Sequence, residues 1–590
     1  MNKAWLVAGA LALAGCAAAP QDMGARESER LDRLVEEYFD RQLERNPVYA
    51  TFIGDHRFDD ELPNMLSPEF IAESHALEQE YLDAIRDIDR SALSHDDQLT
   101  WDVFKLEREW AVEGERFPDE LMPISQFYSI PTFMAIMGSG QSAQPFRNVQ
   151  DYENWLGRID DFDVLMRQIE TNLGEGIKRG VTLPKIIVER IIPQLDAHVV
   201  DDVTQSIFWQ PIVNMPEEIG DGERAALEER YREAISEQVV PAYRRLRDYL
   251  ANEYLPAARD TVGLYALPNG RAWYDYRIKT NTTVALSADA IHDIGLAEVQ
   301  RIRDEMEKVM REVGFKGTLA EWFEYVKNDD RFYFDNEEDL LEGYRAIEAR
   351  MNKAVPMLFD INPKAGFEVR PVEAFRAASA AGASYQSPSP DGSRPGIFYV
   401  NTHNLKAQPK FGMETLFIHE AIPGHHFQNA LQIELTDLPR FRRFGGFTAF
   451  GEGWALYAES LGKELGFFED PMQWYGRLSD EMLRAMRLVV DTGLHAKGWT
   501  RERAIRFMQE NSSMADSDIV AEVERYIVMP GQALAYKIGQ FKISELRERA
   551  EEELGDRFDI REFHTQVLID GELPLPVLEE KIERWIAAQK

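Results

Sequence analysis

The side chains best suited to metal chemistry are gathered in one short stretch, "HEAIPGHH", at residues 419–426. Four of the eleven histidines lie within residues 403–426, and histidine is the commonest metal ligand near neutral pH. His419 is followed directly by Glu420. On a helix, this pair would direct an imidazole at a metal ion and a carboxylate at the water that the metal activates. The pattern therefore predicts a zinc (Zn2+) site with Glu420 as the general base.

The second histidine ligand is harder to assign, because Pro423 stands where an H-E-x-x-H motif has its second histidine. Proline lacks a backbone N–H and clashes with the preceding turn, so we expect the helix to kink or bulge. On a regular helix, His426 would share a face with His419, whereas His425 would point elsewhere. A bulge that absorbs two or three residues would bring either ring back to the metal. The sequence leaves His425 and His426 as alternatives, with the other ring supporting the site or binding substrate.

A third ligand is predicted in the helical stretch "FGEGWALYAESLGKELG" at residues 450–466. Glu452 and Glu459 are seven residues apart and share a face, and two acids on an otherwise apolar face are costly to bury without a cation. Two histidines and a later glutamate match a catalytic zinc site with its fourth position open. We predict Glu452 as the ligand and Glu459 as a group that orients a histidine. The alternative for both acids is a solvated helix face.

The elements that must position these residues are mostly helices. Stripes of apolar residues at helical spacing predict helices at 151–177, 222–255, 287–313, 337–358, 472–496, 500–510 and 575–588. Residues 381–396 are rich in Ser, Pro and Gly and predict a loop, and "IFYVNT" at 397–402 predicts a strand. We therefore expect a mainly α fold with a small β-sheet next to the metal-site helix. The strand is either an edge that holds a substrate backbone by strand addition or an ordinary strand.

Further polar residues are weaker candidates for catalysis and substrate binding. His495 in "DTGLH" and Tyr536 in "GQALAYKIG" could donate hydrogen bonds to an oxyanion. Arg394 beside the predicted strand, and Arg484 and Arg487 on the helix leading to His495, could clamp a peptide carboxylate. The alternatives are buried hydrogen-bonded side chains for His495 and Tyr536, and structural ion pairs for the arginines.

The first residues, "MNKAWLVAGALALAGCAAAP", resemble a bacterial lipoprotein signal that ends at a lipobox, with Cys16 acylated as the new N-terminus. Cys16 is the only cysteine of the chain. The expected organisation is a signal peptide at 1–15, a tether at 16–27 and one helical domain at 28–590. Ala17 after the cysteine is typical of outer-membrane lipoproteins, which predicts a cell-envelope protein lipid-anchored to that membrane and facing the periplasm. The alternative is a plain secretory signal.

The charge of the chain bears on its partners. Asp and Glu number 103 against 66 Lys and Arg, a formal charge of −37. Such an acidic chain is not expected to bind nucleic acid or anionic lipid as its main partner. The predicted lipid anchor is then the only membrane contact, and the oligomeric state stays open.

Several motifs together resemble the bacterial DUF885 family. They are "HEAIPGHHFQ", "GEGWALYAE", "VVDTGLHAKGW" (489–499), "MPGQALAYKIG" (529–539), "NPVYATFIGDHRFDD" (46–60) and "DGSRPGIFYVNT" (391–402). That family often comprises lipoproteins and is grouped with gluzincin-type metallopeptidases. The resemblance implies a large helical body around a deep central channel, like that of the helical carboxypeptidases and dipeptidyl carboxypeptidases. Those relatives carry an unbroken H-E-x-x-H, from which Pro423 departs.

The residues and the resemblance together predict a zinc metallopeptidase that hydrolyses short peptides as a carboxypeptidase-like exopeptidase or an oligopeptidase. A deep channel in a helical body favours short peptides over folded proteins. The alternatives are a non-catalytic lipoprotein that binds peptide or metal, and a zinc hydrolase of cell-wall peptides. The sequence leaves the substrate sequence and the cleavage end open.

Overall fold

The computed structural model of the protein describes residues 20–372, 377, 382–390, 392 and 394–590. Helices make up 71% of the chain, which confirms the mainly α fold. Cys16 and the predicted signal peptide lie outside the described residues. The first helix begins at Pro20, inside the segment interpreted as a tether. Among the described residues, none of the helices is both long and apolar enough to cross a membrane.

The amino-terminal part of the chain is a succession of helices joined by short turns. They are α1 Pro20–Arg45, α2 Pro47–Phe52, α3 Pro68–Arg86, α4 His95–Gly114, α5 Ile130–Gly138, α6 Val149–Arg179, α7 Lys185–Asp196, α8 Gln210–Val213, α9 Asp221–Ala234, α10 Val240–Tyr249, α11 Leu255–Ala257, α12 Gly270–Thr282, α13 Ala288–Glu312, α14 Leu319–Asn328 and α15 Glu337–Ala354. Two π-helical turns, Ile235–Val239 and Leu250–Tyr254, interrupt the helix predicted at 222–255.

The carboxy-terminal part begins with three strands and continues with helices. The strands are β1 Phe367–Pro371, β2 Ala383–Gln386 and β3 Gly396–Val400. The helices are α16 Met413–Glu420, α17 His425–Glu434, α18 Arg440–Phe444, α19 Thr448–Ser460, α20 Pro471–His495, α21 Arg501–Asn511, α22 Asp516–Val528, α23 Ala535–Leu554, α24 Ile560–Leu568 and α25 Leu575–Gln589.

The small sheet confirms a prediction and corrects two details. Its order is β1-β3-β2, with β1 parallel and β2 antiparallel to β3. The predicted strand is therefore the central β3, not an edge. The edge strands are β1 and β2, and β2 lies within the stretch predicted as loop and contacts α16 and α17. The serine-rich sequence around β2 does not predict a strand, because strand formation here depends on pairing with β3 rather than on local propensity.

Two hydrophobic cores meet at the site region. One core contains apolar residues of α6, α7, α10, α13 and α20 to α22. The other contains apolar residues of α1, α3, α4, α15, β3, α16, α19 and α23 to α25. The long helix α20 packs along α13 in the first core, whereas α16 and α19 belong to the second. Side chains from both groups of helices therefore face each other across one cleft.

Helices α19 and α23 cross at unusually close range. Gly453 on α19 meets Gly539 on α23, and a Cβ on either glycine would overlap the backbone of the other helix. Gly453 follows Glu452 directly, and Gly539 lies three residues after Tyr536. This glycine contact therefore sets the separation between the helices that carry Glu452 and Tyr536.

Candidate metal centre

The "HEAIPGHH" stretch forms two helices with a sharp break between them. Helix α16 ends at Glu420 and α17 begins at His425, so the helix stops and restarts rather than bulging. Pro423 cannot donate to a preceding turn, and a Cβ on Gly424 would overlap the carbonyl oxygens of His419 and Ile418. On α19, the Nε1–H of Trp454 donates to the carbonyl of Pro423 across 2.8 Å and ties α19 to the break.

The break brings three ligand-type atoms together. The Oε2 of Glu452 lies 3.7 Å from Nε2 of His419 and 3.3 Å from Nε2 of His425. A ligand atom from each of these three residues lies within 4.8 Å of the other two. Tetrahedral ligands at about 2.0–2.1 Å from a zinc ion are about 3.3 Å apart. The Oε2 of Glu452 is shielded from solvent and has no hydrogen-bond donor among the described residues. This orphaned oxygen fits a metal ion held by two histidines and a glutamate.

Glu459 fixes the orientation of His419. The Nδ1–H of His419 donates to Oε1 of Glu459 across 2.8 Å, which leaves Nε2 as the nitrogen turned toward Glu452. Burial lowers the pKa of His419, but Glu452 and Glu459 outweigh it and raise that pKa to about 9. Burial likewise raises the pKa of Glu452, but His425 and His419 hold it well below its usual range.

His426 is turned away from this cluster, which separates the two candidates for the second histidine. Its Nε2–H donates to the carbonyl of Ala365 across 3.1 Å, and its Nδ1 accepts from the hydroxyl of Tyr385 at 3.0 Å. Its ring also lies against Phe367 of β1. Burial lowers the pKa of His426 to about 4, so the ring is neutral. With both nitrogens engaged, His426 fastens the sheet to α17, and the restart of the helix at residue 425 places His425 in the cluster instead.

The three clustered residues open onto a cleft of about 570 Å³. Glu420 lines it beside His419 and His425, and among the described residues its carboxylate has neither a hydrogen-bond donor nor an ion-pair partner. Residues of the edge strand β2, from Ala383 to Tyr385, line the cleft next to these groups. The cleft thus offers a free carboxylate beside the candidate metal ligands and a strand edge along one wall.

Tyr536 lies in the same cleft within a group of arginines. Its hydroxyl accepts from Nη2 of Arg525 at 3.2 Å, and the guanidinium of Arg487 lies over its ring at 4.2 Å. Arg487 also lines the cleft, but it is paired with Glu522 across 2.9 Å. The O–H of Tyr536 is therefore free to donate a hydrogen bond to a ligand. The charge of Arg487, by contrast, is already balanced in part by Glu522.

Two predicted site residues lie elsewhere. His495 is fully buried in the core. Its Nδ1 accepts from the N–H of Leu264 at 3.1 Å, and its Nε2–H donates to the carbonyl of Tyr526 at 2.9 Å. Because both nitrogens are engaged, His495 has no donor for an oxyanion, and that prediction is corrected. Arg394 is not among the described residues that line the cleft, and its Nη1 donates to the carbonyl of Pro395.

Three charged residues of the cleft, and Tyr385, escaped the sequence analysis. Asp480, Glu522 and Arg525 lie on amphipathic helices, where charged residues ordinarily indicate a solvated face, and Tyr385 lies in the stretch predicted as loop. Burial, together with Glu459, raises the pKa of Asp480 to about 6. The sequence did contain one signal for this wall of the cleft: Asp480, Arg484 and Arg487 are spaced so that they share one face of α20.

Comparison with solved structures shows two similar chains, each described as a putative lipoprotein. The protein from Colwellia psychrerythraea is 31% identical, with a TM-score of 0.89 over 95% of this chain and 99% of that one. The protein from Shewanella oneidensis is 16% identical, with a TM-score of 0.71 over 96% and 99% of the two chains, and shows the fold alone. No protein with a curated description is similar by sequence.

The family comparison covers nearly the whole described chain. The model of the family described as "Bacterial protein of unknown function (DUF885)" matches residues 47–582, which include every residue that lines the cleft. The resemblance read from the sequence motifs is thereby confirmed: this chain is a member of the bacterial DUF885 family.

Proposed function

We propose that the protein is a zinc-dependent peptidase that hydrolyses short peptides within the cleft. The observation that carries the proposal is the orphaned Oε2 of Glu452 between Nε2 of His419 and Nε2 of His425, in a cleft that Glu420 also lines. His419, His425 and Glu452 would hold the zinc ion, with Glu459 orienting His419. Bound there, zinc would supply Lewis acidity to a peptide carbonyl and to a water molecule.

The remaining chemistry falls to residues of the chain itself. Glu420 takes a proton from the attacking water and passes it to the amine that leaves. The O–H of Tyr536 donates a hydrogen bond to the carbonyl oxygen as negative charge develops there. The O–H is free for this role because Arg525 donates to the Tyr536 oxygen and does not accept from it. The edge strand β2 lies along the cleft, where backbone pairing would hold an extended peptide.

Hydrolysis is tested by digesting a peptide library with the zinc-loaded protein and a chelator-treated control, followed by mass spectrometry. Glu420→Gln is expected to retain stoichiometric zinc and to lower turnover by about 100- to 10,000-fold. The control is Glu469→Gln, because Glu469 is exposed and lies outside the cleft. Full activity in Glu420→Gln would refute the mechanism. Zinc and peptide binding by the wild type without any cleavage would favour a binding protein instead.

We also propose that the protein is a lipoprotein of the cell envelope, anchored through Cys16 to the outer membrane and facing the periplasm. The proposal rests on the lipobox-like "LAGC" and on the two similar chains described as putative lipoproteins. Cys16→Ser should move the protein from the membrane fraction to the soluble fraction. Unchanged membrane association of that variant would argue against the anchor.

A further inference from the structure

One wall of the cleft carries more positive than negative charge. Arg484 and Arg487 on α20 and Arg525 on α22, here called the arginine cluster, line it, and among the described residues only Glu522 forms ion pairs with them. Glu522 pairs with Arg487 across 2.9 Å and with Arg525 across 3.5 Å. The carboxylate of Glu522 is thus shared by the guanidinium groups of Arg487 and Arg525, and Arg484 forms no ion pair among the described residues.

Each member of the arginine cluster has an unused donor. The Nε of Arg484, Nη1 of Arg487 and Nε of Arg525 are shielded from solvent and have no hydrogen-bond acceptor among the described residues. The Arg487 side chain is only 5% exposed. Buried donors of charged groups are costly unless an acceptor satisfies them. Three such donors along one wall indicate a site for an anionic ligand with several acceptor atoms.

Arg484 is the arginine of the cluster whose positive charge is least balanced by acidic side chains of the protein. Within the part of the chain that the structure describes, it has no ion-pair partner, and its guanidinium lies 5.8 Å from the centre of the Tyr536 ring. The acid nearest in sequence on the same face is Asp480, whose charge interacts with Arg484 and also with His419. Asp480 therefore marks the part of α20 that lies nearest the candidate zinc ligand His419. From there the helix continues to Arg484 and Arg487.

The spacing along α20 sets the length of chain that would fit. Arg484 and Arg487 lie four and seven residues beyond Asp480, which is about 6 and 10 Å along the helix axis. An extended peptide advances about 3.3 Å per residue. A carboxylate bound by the arginine cluster would therefore lie about two to three residues from the bond at the metal.

We infer that the arginine cluster binds the free C-terminal carboxylate of the peptide, with Arg484 as the principal contact. The enzyme would then remove short fragments from the C-terminal end of its substrates. This inference rests on the proposed peptidase function and adds the cleavage end to it. An acidic side chain of the peptide offers the same chemistry from another source, so the test must separate the two.

The test measures binding, so that its result does not depend on turnover. A fluorescent short peptide is titrated into the zinc-loaded Glu420→Gln protein, once with a free C-terminal carboxylate and once as its amide. The free acid should bind about 10- to 100-fold more tightly, as expected for a charge-assisted hydrogen-bonded pair. Arg484→Gln in the same background should remove this preference and leave the affinity for the amide unchanged.

The control variants isolate the role of Arg484. Arg506→Gln changes an exposed arginine outside the cleft and should preserve the preference. Arg484→Lys retains the positive charge and should keep part of the preference for the free acid. That result would show that the loss in Arg484→Gln comes from the missing charge and not from a folding defect.

Two results would overturn the inference. One is equal affinity for the acid and the amide. The other is full affinity for an amide peptide that carries a glutamate side chain near its end, which would assign the site to an acidic side chain. If the wild type proves inactive while the acid preference holds, only the peptidase proposal fails.

Discussion

The Nδ1–H of His419 donates to Oε1 of Glu459 across 2.8 Å, and both side chains are buried. The bond joins α16 to α19, the two helices that carry His419 and Glu452. It selects the tautomer of His419 whose Nε2 is free to bind a metal ion. A carboxylate in this position also makes the imidazole a better ligand.

Replacement of Glu459 should therefore weaken zinc binding without removing a ligand. In Glu459→Gln the amide oxygen still accepts from His419, but the negative charge is gone. We expect the zinc dissociation constant to rise by about 10- to 100-fold, measured by competition with a chelating dye. Glu469→Gln is the control and should bind zinc like the wild type. Unchanged affinity in Glu459→Gln would show that the charge is not needed.

The neighbouring histidines should behave differently when each is replaced by alanine. His425→Ala removes one of the three clustered ligands and should lose zinc on dialysis, as measured by elemental analysis. His426→Ala removes the hydrogen bonds to Ala365 and Tyr385, so it should keep zinc and lower the free energy of unfolding by about 1–3 kcal/mol. A folded His426→Ala protein without zinc would contradict this assignment.

Gly424 should tolerate no side chain. In Gly424→Ala the new Cβ would overlap the carbonyl oxygens of His419 and Ile418, so the break between α16 and α17 must change shape. We expect a loss of about 1–3 kcal/mol in the free energy of unfolding together with weaker zinc binding. The control is Gly222→Ala on α9, where a Cβ meets open space and should be neutral or slightly stabilising. Normal zinc affinity in Gly424→Ala would show that the break is adaptable.

Buried histidines should make the protein sensitive to acid. Burial lowers the pKa of His495 to about 4, whereas in the unfolded chain its pKa is about 6.5. Between these values only the unfolded chain takes up the proton, so stability is retained above pH 6.5 and is lost as the pH falls toward 4. From pH 6.5 to 5 this histidine alone should cost about 2 kcal/mol.

The measurement compares denaturant unfolding of the wild type and His495→Gln at pH 7.5, 6.5 and 5.0, with chelator present to remove metal effects. The variant should be less stable at pH 7.5 and should lose less stability on acidification. An identical pH dependence in both proteins would mean that His495 is not neutral in the fold.

Much of the architecture was predictable because helix formation follows local periodicity. The helices found at Ala288–Glu312 and Leu575–Gln589 match their apolar stripes closely. The clustering of histidines, Glu420 and the later acid Glu452 likewise identified the region of the cleft. The π-helical turns within 222–255 were missed, since they alter the hydrogen bonding without disturbing the apolar stripe.

Local patterns were thus sufficient for the family, for the helical fold and for the residue types at the candidate site. Tertiary packing alone decided that His425 joins His419, because the break at Pro423 and Gly424 resets the helical phase. It also decided that His495 is a core residue and that Arg484 has no ion-pair partner among the described residues, since hydrogen-bond and ion-pair partners come from segments distant in the chain. Such partnerships have no periodic signature, because they depend on how separate helices cross.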